Sequence, residues 1–85
     1  SYLVDGRLST EELRELLALT RLPDEEDGDY HTAAGMVIAQ FGRIPHSGEH
    51  FDWGGWRFEV VDLDGARIDK LLVARLPEPE REDGI

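Results

Sequence analysis

The stretch Tyr30–Gly48, YHTAAGMVIAQFGRIPHSG, carries the signals of a helix with a defined start, end and exit. Thr32 suits the N-cap, because its hydroxyl can accept hydrogen bonds from the free N–H groups of the first turn. Gly42 suits the left-handed residue that ends a helix, and Pro45 follows where it prevents a restart. The stretch therefore predicts one helix, with an apolar face at helical spacing that consists of Ala34, Val37, Ile38 and Phe41.

Gly35 lies inside this predicted helix, where glycine costs roughly 1 kcal/mol relative to alanine. A glycine in such a place usually has a packing reason. We expect another backbone to pass close to Gly35, and a ligand bound there is the alternative.

Length and charge limit the classes of protein to which the chain can belong. Its 85 residues form one domain with a modest core, and the absence of cysteine excludes disulfides and thiolate metal sites. Nineteen acidic residues against nine basic ones give a net charge of −10. This balance argues against nucleic acid and against an anionic membrane surface. No apolar run is long enough to insert into a membrane. The acidity fits a cationic partner, bound cations, or simple solubility.

The segment before this stretch predicts a short strand and a second helix. We expect a strand at 2–5, ended by the turn pair Asp5-Gly6, and a helix at about 10–19. Ser9 and Glu12 form an S-x-x-E capping box, in which each side chain bonds to the other residue's backbone N–H. The predicted buried stripe of this helix is Leu13, Leu16 and Leu17.

The segment after Gly48 predicts a three-stranded antiparallel meander. Gly54-Gly55 and Asp64-Gly65 are two-residue hairpin signals, the second favouring type I′. In the last strand, Ile68 is out of phase with Leu71 and Val73, which predicts a β-bulge near Asp69-Lys70. The alternative is that both faces of this strand are covered. Trp56, Phe58 and Val60 form one face of the middle strand.

Together these elements predict an α+β fold in the order β-α-α-β-β-β, with two helices packed on one face of a mainly antiparallel sheet. The domain is expected to span residues 1–76. Residues 77–85 are proline-rich, charged and without an apolar pattern, so they are predicted to be a disordered acidic tail.

An acidic loop between the helices is a candidate site for Mg²⁺ or Ca²⁺, because hard cations prefer several oxygen ligands. Its spacing does not match an EF-hand, and a solvated, mobile loop is the alternative. Its carboxylates are Asp24, Glu25, Glu26, Asp27 and Asp29.

Other patterns that could indicate chemistry are weaker. His46 and His50, with Asp52 nearby, span a turn and a strand start, so exposed histidines are expected rather than a zinc site. Trp53, Trp56 and Phe58 could form a stacking platform, but core packing of the hairpin is expected. No catalytic triad or nucleotide-binding glycine motif is present, so the sequence predicts no enzyme.

Four blocks in order resemble the transporter-associated domain of CorC/HlyC-type proteins, the haemolysin-like magnesium and cobalt efflux family. They are LVDGRLSTEEL, LPDEEDGDYHTAAGMV, FGRIPHSGE and WRFEVVDLDGARIDKLLV, and the resemblance covers residues 2–76. The four blocks follow one another in the order that they have in the family, which makes the match specific. The positions we single out from these blocks are Thr32, Gly35, Gly42, Arg43, Pro45 and Gly48, for which maintenance of the fold is the expected role.

The resemblance implies a fold similar to half of a flavin-oxidase FAD-binding domain. It also implies a place after a membrane-embedded domain and a pair of CBS domains, on the cytoplasmic side of the plasma or inner membrane. Those domains of the same full-length protein are the implied partners, and a homodimer is left open. The implied function is non-catalytic regulation of ion transport. A divalent-cation-sensing module and a flavin- or adenine-nucleotide-binding domain are the alternatives, although the −10 charge disfavours a pyrophosphate.

Overall fold

A computed structural model describes residues 1–25 and 30–77. The elements follow one another in the predicted order, two helices on a four-stranded antiparallel sheet. Their bounds are β1 (Tyr2–Asp5), α1 (Thr10–Leu17), α2 (Ala33–Phe41), β2 (His50–Trp53), β3 (Trp56–Asp64) and β4 (Arg67–Arg75). The α+β fold class is therefore confirmed. The predicted tail falls almost entirely on residues 78–85, which lie outside the described residues.

The sheet has the strand order β1-β4-β3-β2, so β3 and β4 are central. The meander of β2, β3 and β4 is confirmed, and β1 joins it by pairing antiparallel with β4. The register aligns Val4 with Leu71 and Phe58 with Val73. Because aligned residues point to the same side of a sheet, these four side chains form the face on which the helices pack.

The predicted bulge is present, and a second bulge opposes it. Val60 pairs with Leu71, Asp62 with Lys70, and Leu63 with Ile68. This register leaves Val61 as an extra residue on β3 and Asp69 as an extra residue on β4. The extra Asp69 brings Ile68, which is 2% exposed, onto the same buried face as Leu71 and Val73.

The two hairpin turns differ in how well they follow prediction. Gly54 and Gly55 connect β2 to β3, both with positive φ, as a type I′ turn requires. The other prediction is wrong by one residue, because Asp64 pairs with Arg67 inside the ladder and the turn residues are Gly65-Ala66. Only Gly65 has positive φ there, which is the pattern of a type II′ turn.

Helix α1 begins as predicted and ends earlier. The Ser9 hydroxyl accepts from the Glu12 N–H at 3.1 Å, but the hydroxyl then donates to the Glu12 carboxylate, so only half of the capping box forms. The helix stops at Leu17 rather than at 19, because Ala18 adopts the left-handed conformation with φ 55°. Leu13 and Leu17 are buried as expected, whereas Leu16 is 40% exposed and the predicted stripe is wrong there.

Helix α2 has the predicted caps and a rotated buried face. Its N-cap Thr32 accepts from the Gly35 N–H at 3.1 Å, and Gly42 ends it with φ 69°. The fully buried residues are Ala33, Met36 and Val37, while the predicted Ala34, Ile38 and Phe41 are only partly buried against the core. The prediction was right for Val37, but the centre of the buried face is shifted toward Ala33 and Met36, because a helix that is apolar on almost every side does not fix which side meets the sheet.

The core lies between the sheet and the two helices. Leu13 and Met36 from the helices meet Phe58 and Leu71 from the central strands, and all four are 0% exposed. Trp56 is 6% exposed, so the expected core packing of the hairpin is confirmed in preference to an exposed stacking platform. No helix within residues 1–25 and 30–77 is long and apolar enough to cross a membrane.

Candidate functional site

The loop between α2 and β2 is held by one carboxylate. Glu49 accepts two hydrogen bonds from the Arg43 guanidinium, at 2.8 and 2.6 Å, and a third from the His46 backbone N–H at 2.6 Å. These bonds, the guanidinium pair first, lower the pKa of Glu49 from 4.5 to about 2. We call these three bonds the loop clamp. It joins Arg43 at the start of the GRIPHSGE segment to Glu49 at its end.

The same loop attaches to the bulged part of β3. The Gly48 N–H donates to the Val60 carbonyl at 2.7 Å, and the Val60 N–H donates to the Glu49 carbonyl at 3.0 Å. The Ser47 hydroxyl reaches the carbonyl of the extra residue Val61 at 3.5 Å. The Pro45 side chain of this loop is fully buried. The loop therefore continues the sheet edge where the bulge interrupts regular pairing.

Of the positions singled out from the sequence, Arg43, Pro45 and Gly48 come together in this loop. Thr32 and Gly35 lie at the other end of α2, and Gly42 ends that helix. A Cβ on Gly35 would lie 3.0 Å from the Tyr30 Cβ and 3.7 Å from the Tyr30 Cα, so the close approach comes from the preceding turn. All six positions take part in helix ends, turns or loop bonds.

The acidic loop is described only in part. Glu25 forms an ion pair with Arg14 and accepts the Leu22 N–H at 2.9 Å. Asp24 accepts from the Gln40 side-chain amide at 3.0 Å. The other predicted metal ligands, Glu26, Asp27 and Asp29, lie outside the described residues. The two described carboxylates are thus each bonded to a protein group.

Tyr30 closes the far end of this loop. Its hydroxyl donates to the Pro23 carbonyl, and the side chain is 8% exposed. Burial raises the pKa of the Tyr30 phenol, and the nearby Asp24 charge raises it further. The phenol is therefore held as a neutral donor that fixes Pro23.

The histidines do not converge with other ligands. His46 and His50 are exposed, and Asp52 is bonded to Arg57 at 3.0 Å, which lowers the pKa of that carboxyl. Across residues 1–25 and 30–77 there is no group of three or more His, Asp and Glu side chains placed to hold a metal ion.

Shallow clefts lie along α1 and the β2–β3 turn. One of about 330 Å³ is lined by Leu19, Trp53 and Gly54, among others, and Trp53 donates its indole N–H to the Arg21 carbonyl at 3.3 Å. A neighbouring cleft of about 500 Å³ is lined by residues that include Glu11, Arg14 and Glu15. Neither cleft presents a nucleophile hydrogen-bonded to a base.

Sequence reasoning missed the structural role of Gly6, which it assigned only to a turn. The Gly6 N–H donates to the Asp69 carbonyl at 2.9 Å, and its carbonyl accepts from the Ala34 N–H at 2.9 Å. A Cβ there would lie 2.2 Å from the Ile68 carbonyl oxygen. The position joins β1, the β4 bulge and the start of α2, and no local signal could have shown these distant contacts.

A family model, curated relatives and solved structures all match this chain. Residues 1–77 match the transporter associated domain family CorC_HlyC. A UPF0053 protein of Synechocystis is 51% identical over 92% of this chain, and a polyamine export protein of Salmonella typhimurium is 37% identical over 89% of it. The chain spans only 17% of the length of either of these curated relatives.

Solved structures agree. The CorC_HlyC domain of a Xylella fastidiosa hemolysin is 61% identical, with a TM-score of 0.75, 88% of this chain covered and 84% of that one. The same domain has been solved in complex with Mg²⁺ and Mn²⁺, with 88% of this chain and 86% of that one covered at the same identity and TM-score. Because the match covers nearly the whole chain in sequence and in fold, this chain belongs to the CorC_HlyC transporter associated domain family.

Proposed function

We propose that this domain is a non-catalytic regulatory and interaction module of a membrane transporter that exports cations. The observation that carries the proposal is the family match over residues 1–77, in a chain that spans only 17% of relatives named as polyamine export proteins. A module of that size acts on transport through contacts with the rest of its protein. Those contacts are with membrane and CBS domains on the cytoplasmic side of the membrane.

The geometry of the motif supports a contact module rather than a reaction site. The Arg43 guanidinium donates to the Glu49 carboxylate, which also accepts from the His46 backbone N–H. Thr32 is used on the first turn of α2. Because these side chains are hydrogen-bonded within the domain, they stabilise the shape of its surface and do not present a reactive atom.

The transported substrate is proposed to be a cation. Relatives at 34–37% identity are named for polyamines, which are organic cations. The family resemblance points to Mg²⁺ and Co²⁺. A domain with a net charge of −10 attracts any of these and repels anionic substrates.

The test uses the full-length protein in proteoliposomes, with and without residues 1–77. Initial export rates are measured separately for a polyamine, Mg²⁺ and Co²⁺. For the transported cation, removal of the domain is expected to leave transport measurable but to change its rate about fivefold or more, as regulatory coupling usually does. An unchanged rate for all three would contradict the proposal. So would complete loss of transport in a truncated protein that still folds and inserts.

Divalent-cation sensing is a second candidate function, favoured by one observation. The neighbour that is 61% identical has been solved in complex with Mg²⁺ and Mn²⁺. The candidate ligands here remain Asp24, Glu25, Glu26, Asp27 and Asp29. To bind an ion, the Glu25 carboxylate would have to break its ion pair with Arg14 or bind the ion and Arg14 together.

A thermal melt with Mg²⁺ and Mn²⁺ tests this second function. An ion at a hundred times its dissociation constant adds about 2.7 kcal/mol, which in a domain of this size raises the midpoint by about 10 °C or more. The triple substitution of Asp24, Asp27 and Asp29 to Asn should abolish the shift. Glu11→Gln with Glu15→Gln, on α1, is the matched control and should keep it. No shift with either ion, or loss of the shift in the control, would contradict the site.

The flavin and adenine-nucleotide alternative gains no support from the described residues. The clefts along α1 and the β2–β3 turn are shallow, and Glu11 and Glu15 border the larger one. Carboxylates repel a pyrophosphate, which argues against this alternative.

A further inference from the structure

Between Leu71 and Ala74, strand β4 carries apolar side chains on both faces. Leu71 and Val73 are buried in the core at 0% exposure. Leu72 and Ala74 alternate with them and so point to the opposite face, where both are only half-buried. An antiparallel sheet with one solvated face normally carries polar residues on it. The run Leu71–Ala74 is instead typical of a strand that is covered on both sides.

The neighbouring strand extends this apolar area. Leu3 of β1 is the aligned partner of Leu72 and is 65% exposed. We call Leu3, Leu72 and Ala74 the outer patch. The helices pack on the other face of the sheet, in the core with Leu71 and Val73. Within residues 1–25 and 30–77, no helix covers the outer patch.

Charged residues border the outer patch on three sides, and one of them is Glu59, the aligned partner of Leu72 on β3. Arg57, aligned with Ala74, is bonded to Asp52 at 3.0 Å. Lys70, aligned with Asp5, lies 3.7 Å from the Asp5 carboxylate. An apolar centre with a charged rim is the arrangement of protein–protein interfaces.

We propose that the outer patch is the surface through which this domain docks on another domain of its own full-length protein. The proposal rests on the proposed function, since it names the contact surface of that module. The length of chain outside the domain argues for this occupant: a chain that spans 17% of its relatives leaves about five-sixths of each relative to supply the partner surface.

Size and charge argue against a second copy of the domain. A stable association between separate proteins buries about 1,200–2,000 Å², and the three side chains of the outer patch are a small centre for that. A tethered domain needs less area, because its effective concentration is already high. Two copies that each carry a charge of −10 would also repel each other. The partner surface is therefore expected to be apolar at its centre and within the same polypeptide.

Cysteine labelling tests the docking surface, because this chain contains no cysteine of its own. Leu3→Cys is introduced into the full-length protein and into the isolated domain, and maleimide labelling is followed by mass spectrometry of the peptide that carries it. The isolated domain is a valid reference, since this chain covers 84% of a solved relative that folds as a domain of similar size. Leu16→Cys is the control, at a 40% exposed position on α1.

The thiol of the Leu3→Cys variant is expected to label at least about tenfold more slowly in the full-length protein than in the isolated domain, because docking closes the site most of the time. The thiol of the Leu16→Cys control is expected to label at similar rates in both. Equal rates for Leu3→Cys would overturn the proposal. Equal slowing of both variants would overturn it too, since protection would then not be specific to this face.

The outcome is separable from that of the proposed function. If removal of residues 1–77 alters transport while Leu3→Cys labels equally fast in both proteins, the docking surface is wrong and the regulatory function stands. If Leu3→Cys is protected while removal leaves transport unchanged, the interface stands and the regulatory function is wrong.

Discussion

Gly6 offers a sharp test of how the fold is held together. It is buried at the junction of β1, the β4 bulge and α2, with both of its backbone groups bonded across the junction. In Gly6→Ala the new Cβ would lie 2.2 Å from the Ile68 carbonyl oxygen and 3.3 Å from the Ala34 Cβ. The first contact is with backbone inside a paired strand, which cannot rotate away as a side chain could.

The cost of this substitution follows from that overlap. Overpacking a core costs about 1–3 kcal/mol, and a clash with fixed backbone belongs at or above the upper end. About 3 kcal/mol is a large part of the roughly 4–13 kcal/mol expected for a domain of this length. The melting midpoint should then fall by about 12 °C or more.

Gly42→Ala is the matched control. Gly42 has φ +69° but open space where a Cβ would go, so alanine there costs only the left-handed conformation, about 1–2 kcal/mol. Calorimetry or circular dichroism of both variants gives the comparison. The reasoning is refuted if Gly6→Ala melts at or above the midpoint of Gly42→Ala, because lack of space at Gly6 would then not decide its identity.

Two further predictions concern the loop clamp and the core. The pKa of Glu49 is lowered from 4.5 to about 2 in the folded protein, so its stabilising effect is fully present above about pH 4.5 and is lost as the pH falls toward 2. Glu49→Gln should therefore lower the melting midpoint at pH 7 and lower it much less near pH 2, and an equal difference at both pH values would argue against the clamp. Leu13→Ala, at a 0% exposed position, should cost about 2–5 kcal/mol in chemical unfolding, whereas Leu16→Ala, at 40% exposure, should cost clearly less. Equal losses would mean that the buried side of α1 is misplaced.

Local chemistry predicted much of the fold. Ser9 and Thr32 cap the helices as expected, because a cap depends on neighbours within a few residues. The phase shift between Ile68 and Leu71 was enough to predict a bulge, since strand periodicity is fixed. The order of the elements followed from the apolar periodicity and the turn residues between elements.

Contacts between residues that are distant in the sequence could not be predicted from local patterns. Ala18 ends α1 in a left-handed conformation that alanine does not signal, and the Leu19 side chain lies against Gly54. The compensating bulge at Val61 depends on pairing with β4 and on the 42–49 loop, neither of which is local. The Arg43–Glu49 pair joins residues six apart through a loop whose path the sequence does not fix.

The candidate site was predicted less well than the fold. The helix-end roles of Thr32 and Gly42 were predicted from local signals, but the loop clamp between Arg43 and Glu49 was not. The outer patch was not predicted as a surface, although the apolar run at Leu71–Ala74 is consistent with the alternative of a strand covered on both faces. The sequence pattern shows that both faces of the run Leu71–Ala74 are apolar. Only the fold shows that the helices pack on the face of Leu71 and Val73.

The most direct test of the central claim, that this domain acts on transport through the outer patch, changes this surface and leaves the domain in place. Export rates of the full-length protein are compared for Leu3→Lys, in the outer patch, and Leu16→Lys, on α1, which add the same charge at exposed positions. The account predicts that Leu3→Lys shifts the rate in the same direction as removal of the domain, and that Leu16→Lys behaves as wild type. A wild-type rate for Leu3→Lys, where removal of the domain changes the rate, would contradict it.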